Sequence, residues 1–194
     1  MRRREGLFDL GALREASRRA ALTALWVALW GGALGAAQPQ AEFTRRDLET
    51  VGRALAFLER PPTGPVVIGV VYPGSSAAGR AEADRIASTI GDGLEVRPIV
   101  LMARPLTVEE VAFNTDVVAL LLTAAALPAA ERLASAIAGR GVLTIVSDPT
   151  IVEAGRAVMA VRTSPRVEIA VNRSAARAAG VGFAPAFRMM IHER

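Results

Sequence analysis

The sequence contains no cysteine and no lysine, and it has a single histidine and a single tyrosine. Without cysteine there is no disulfide, no thiolate nucleophile and no cysteine-ligated metal. Such a chain must be held by its apolar core, and 52% hydrophobic residues over 194 positions supply the material for one. Every one of the 23 basic residues is arginine. Six of them precede Gln38 together with three acidic residues, which leaves 17 Arg against 16 Asp and Glu beyond it, interspersed in sign. A nucleic-acid surface calls for a basic stripe, often interleaved with aromatics for stacking, and neither is visible. Nucleic acid is therefore not an expected partner, despite the sequence pI of about 11.0.

Groups that catalyse are equally scarce. His192 stands alone near the end of the chain, with no partner for a metal site and no nucleophile for a triad. Glu109 and Glu110 are adjacent, so on a helix they point about 100° apart and serve the first turn through its dipole rather than forming an acid/base pair. No catalytic residue, metal ligand or cofactor site is expected.

One loop imitates a phosphate cradle. Gly74 and Gly79 are spaced like the glycines of a phosphate-binding loop between a strand and a helix, but the motif needs Lys and then Ser or Thr where this chain has Arg80 and Ala81. Ser75 or Ser76 reads as the cap of the following helix, and the two serines are also candidate anion contacts. Asp148 lies just past the carboxyl end of a buried strand, where open α/β sheets place ligand groups; it too reads first as a helix cap and second as a ligand contact.

Residues 20–37 form an uncharged Ala/Leu/Trp-rich run after Arg18-Arg19, ending in Gly35-Ala36-Ala37. That is the pattern of a cleaved export signal with a small-x-small cleavage site. The run sits at the low edge of a membrane span, so an uncleaved anchor is the alternative. Ser17-Arg18-Arg19 resembles a twin-arginine signal, although the general export route fits better. Either route leads to the periplasm.

Beyond it, residues 44–58 repeat Leu48, Val51, Leu55 and Leu58 at helical spacing, and Pro61, Pro62 and Pro65 then form a linker. Residues 66–72 and 117–122 are apolar runs of strand length, suited to strands buried on both faces; 94–102, half polar at its start, and 142–146 are further strands. Between them lie helical stretches at 79–90, after the Thr107…Glu110 capping box, and from Pro128 to the stop at Gly139-Arg140-Gly141. Residues 158–161 and 167–171 are short and close enough for a hairpin. Asn172 caps a helix at 174–179 that stops at Gly180. Strands alternating with helices give an α/β fold: one lobe with a mostly parallel sheet, flanking helices and a C-terminal antiparallel edge hairpin. The expected organisation is an export signal at 1–37, a helix and linker at 38–65, and the α/β domain at 66–194. Phe183, Phe187 and Met190 near the end read first as core and second as a docking patch for a partner.

The ending carries a resemblance. Gly141–Asp148 (GVLTIVSD), Gly155, Val158 to Val161, Ile169-Ala170-Val171-Asn172, Ala175-Ala176, Gly180 and the short helix from Phe183 resemble the YfiR-like family of periplasmic regulators, with the match best over 117–190. The Phe-x-Ile-Asn of many members is Ile169-Ala170-Val171-Asn172 here, and their early Trp-Pro is replaced by Arg60-Pro61. The cysteines that give some members redox control are missing, so that property is not implied. The resemblance implies a non-enzymatic protein that binds and restrains an inner-membrane signalling protein, a diguanylate cyclase or sensor kinase, and it leaves room for a homodimer. The alternative is a single-lobe solute-binding module serving a transporter or sensor, although such proteins usually close two lobes around a solute.

Overall fold

In the computed structural model, residues 43–188 and 192–193 are described. The export-signal segment 1–37 and Met190 lie outside them. The chain begins with α1 (Arg45–Leu55), capped by Thr44, whose hydroxyl accepts from the N–H of Asp47 at 3.3 Å while Asp47 accepts from the Thr44 N–H at 2.8 Å. This reciprocal pairing satisfies two N–H groups that a helix start leaves orphaned.

There follow β1 (Gly64–Tyr72), α2 (Ala77–Ile90), β2 (Leu94–Val96), β3 (Ile99–Thr107), a 3-10 turn (Glu110–Ala112) and β4 (Ala119–Leu122). A second 3-10 segment (Ala124–Ala129) runs into α3 (Ala130–Ala136). The rest is β5 (Leu143–Val146), α4 (Pro149–Glu153), β6 (Met159–Arg162), β7 (Glu168–Val171), α5 (Arg173–Ala179), α6 (Pro185–Arg188) and β8 (His192–Glu193).

The strands form one sheet in the order β2-β3-β1-β4-β5-β6-β7-β8. β3, β1, β4, β5 and β6 run parallel, whereas β2 and β7 are antiparallel to their neighbours β3 and β6. The expected mostly parallel sheet with an antiparallel β6–β7 hairpin is thus present, and β8 adds a two-residue parallel pairing outside β7. The stretch expected as one strand over 94–102 is instead a hairpin, Leu94–Val96 folding back on Ile99–Thr107. Pro98 sits at its turn, where a missing N–H and a fixed φ favour chain reversal over a continuous strand.

Alternate residues of each strand feed two apolar layers. On one face Ile68, Val70, Leu121 and Ile145 meet α1 and α2; on the other Val71, Leu120, Leu122 and Val146 meet α3 and α4. Leu48, Val51 and Leu55 of α1 are fully buried, so this helix is part of the core; each such aliphatic side chain contributes about 1.5–3 kcal/mol. Gly52 lets α1 lie close to β2, since a Cβ there would fall 2.9 Å from the Val96 side chain.

Candidate functional site

In an open α/β sheet the expected ligand crevice opens outside the carboxyl ends of the strands, where the strand order reverses. Here the chain leaves β1 for β3 on one side and returns to β4 on the other, so that point lies between β1 and β4. Ser75, Ser76 and Asp148 all follow strands that end on this edge, as expected. Ser76 and Asp148 act as caps. The Ser76 hydroxyl accepts from the Gly79 N–H at 3.0 Å, and an Asp148 oxygen accepts from the Thr150 N–H at 2.9 Å. Ser75 is exposed.

The crevice itself is filled by the protein's own groups. Both oxygens of Glu82 on α2 accept from the Ala124 N–H at 3.1 Å, at the start of the segment after β4. A Cβ at Gly79 would lie 3.0 Å from that of Ala125, so this glycine of the apparent phosphate loop serves a close approach between α2 and the β4 loop. Arg80 is turned back onto Asp84 at 3.0 Å and the Tyr72 hydroxyl at 2.8 Å, the Asp84 bond chiefly raising its pKa further. Glu110 accepts from the Thr107 N–H at 2.7 Å and from its hydroxyl at 2.9 Å, which holds the carboxyl below the usual glutamate range. Glu109, beside it, pairs with Arg132 at 3.3 Å. Among the described residues no group of His, Asp and Glu is placed to hold a metal ion.

A cleft of about 470 Å³ lies on the opposite edge, where β7 ends beside the start of β6. Val171, Ala176 and Phe183 line it, with Glu59, Arg173 and Arg177 as its charged groups. Its wall is a short ladder: the Glu59 N–H donates to Gly182 O at 2.9 Å, and the Ala184 N–H donates to Phe57 O at 2.8 Å. Gly180, at φ 76°, ends α5 as the left-handed stop that the sequence predicts.

Phe183 and Phe187, candidate docking residues, are 7% and 2% exposed. They stack with centroids 5.3 Å apart, and Phe187 also stacks on Phe57 at 5.2 Å. Burial of both rings removes the exposed aromatic patch that their spacing allowed. What sequence reasoning missed lies next to them: a smaller groove, about 240 Å³, between α1 and β7, with Phe57, Ile169 and Val167 in its lining. The available signal was Val167, an apolar residue preceding a strand whose odd-numbered positions face the α1 layer.

The fold is similar to that of a solved structure described as the ABC domain in complex with L-Trp from Streptococcus pneumonia, with a TM-score of 0.50 and 10% identity. The match covers 75% of this chain and 59% of that one, so the chain spans well under two thirds of that structure's length. At this identity the likeness concerns the fold alone. No curated protein matches the sequence. The family comparison reaches further, for the sequence matches the YfiR/HmsC-like family model over residues 57–189, from just past α1 through α6. The chain belongs to the YfiR/HmsC-like family.

Proposed function

We propose that this chain is a non-catalytic periplasmic protein that binds the sensor part of an inner-membrane signalling protein, a diguanylate cyclase or sensor kinase, and holds it inactive. The observation that carries this reading is membership of the YfiR/HmsC-like family, whose members are periplasmic regulators of cyclic-di-GMP signalling rather than enzymes. The Ala/Leu/Trp-rich run at 20–37, read as an export signal, agrees with that compartment. Among the described residues no helix is long and apolar enough to cross a membrane.

The physical requirement for such restraint is modest: the protein must bind one state of its partner more tightly than the other. That needs a surface, not a reactive centre. The strand-end crevice, filled by Glu82 and bordered by the Glu109–Arg132 pair, fits this requirement better than it fits turnover of a substrate. A homodimer belongs to the same proposal.

A single-lobe solute-binding module is the second reading, and the 470 Å³ cleft with charges of both signs favours it. Deleting the gene separates the two. Under the regulator reading the cellular cyclic-di-GMP level rises or a kinase output switches on, and the full chain restores it while a chain lacking residues 1–37 does not. An unchanged signalling output would overturn that reading.

A further inference from the structure

We propose that the apolar groove between α1 and β7 seats a short segment of the partner protein, apolar at its centre and acidic at its flanks. This rests on the regulator reading above and gives it a surface. The sheet face that α1 and α2 cover elsewhere continues onto β7, where Ile169 is only half-buried and Val167 is 55% exposed. Val167 is one of only two large apolar side chains, among the described residues, that stand so open. Phe57 and Phe187, stacked 5.2 Å apart, wall the groove, so the apolar patch is built on rings already fixed by packing. Fixed rings lose little conformational entropy when a partner docks on them.

Size and charge name the occupant. At about 240 Å³ the groove is smaller than the roughly 300–1,000 Å³ of a typical small-molecule cleft, and it suits one or two apolar side chains of a docked segment. Arg46 and Arg53 stand at its rim, and among the described residues no acidic one lines it. Glu49 on the same helix lies 3.5 Å from Arg45 and 3.7 Å from Arg53, and among the described residues no ion pair engages Arg46. Arginines beside an apolar groove select a segment with carboxylates flanking its apolar anchor and steer its approach.

The test places a photo-crosslinking amino acid at Val167 in the full chain expressed in its own host, with a second position at Arg177 in the larger cleft. The adducts are then sequenced. The expected result is an adduct from position 167 to one membrane signalling protein, at a peptide with apolar residues between acidic ones. Arg46→Glu in the same chain should cut its yield at least tenfold without lowering protein level or melting temperature, because Arg46 is exposed. Adducts from 177 but not 167 would overturn the groove while leaving the regulator reading intact. Adducts from 167 to a second copy of this chain, or to a peptide without acidic flanks, would also overturn the groove proposal. No adduct with a membrane protein from either position would count against both.

Discussion

The carboxylate of Glu82 sits with both oxygens 3.1 Å from the backbone N–H of Ala124. A side chain from α2 thus occupies the amide that an anionic ligand would use at the switch point of the sheet. Glu82→Ala leaves that part-buried N–H without its charged acceptor. We expect a loss of about 1–2 kcal/mol in urea denaturation, with no gain in affinity for inorganic phosphate by calorimetry. Phosphate binding appearing in the variant would mean that Glu82 blocks a competent anion site.

Gly180 and Gly182 stand two residues apart and should respond differently to alanine. At Gly180 a Cβ would approach the Gly139 backbone within 3.1 Å, and φ is 76°. Gly180→Ala should cost about 2 kcal/mol or more. At Gly182 the added methyl would meet the Glu59 carboxylate, the end of an exposed and movable side chain. Gly182→Ala should cost under about 1 kcal/mol. Equal losses on thermal melting would contradict the assignment.

Phe113 is 86% exposed at the end of a loop held by Arg140, whose guanidinium donates to the carbonyls of Val111 and Ala112 at 3.3 Å and to that of Asn114. Phe113→Ala should change stability by no more than about 0.5 kcal/mol. Arg140→Ala leaves those carbonyls to water and frees the loop, costing about 1–2 kcal/mol. Amide hydrogen exchange would locate the second change at residues 111–114.

Leu55 on α1 is fully buried against the sheet. Leu55→Ala should destabilise the whole domain by about 2–5 kcal/mol in one cooperative transition. A separate early transition confined to residues 43–60 would show that the helix folds as an appendage.

Acid should weaken the fold through Glu110 and Asp116. Thr107 holds the first below its ordinary range and Arg104, at 2.7 Å, holds the second. A carboxylate whose folded pKa is depressed stabilises above its unfolded value, and that contribution fades as pH falls through the folded one. Both groups are exposed, so the effect is small. Glu110→Gln should flatten the acid limb of a plot of melting temperature against pH, leaving the neutral limb nearly parallel to that of the native chain.

Much of the fold was legible because its signals are local. Apolar runs such as 66–72 read as doubly buried strands, and the caps Asn172 and Asp148 announce helix starts through their own chemistry. The hairpin at Pro98 was hidden because Leu94-Glu95-Val96-Arg97 alternates as the half-polar start of one longer strand would, and only Pro98 marks the turn. The candidate sites were less legible for a different reason. Whether a cap is only a cap depends on what stands opposite, and Glu82 lies 42 residues before the amide it fills. Phe183 and Phe187 share a helical face in the sequence, but Phe57, which decides whether that face is covered, comes more than a hundred residues earlier.

The ladder between residues 57–59 and 182–184 joins two segments that are remote in sequence. Its two edges are separated by more than a hundred residues of chain. Contacts so distant in sequence also carry a high loop-closure entropy and form late. This seam is therefore expected to close after the sheet has formed, so that folding of the domain ends where residues 57 and 184 meet.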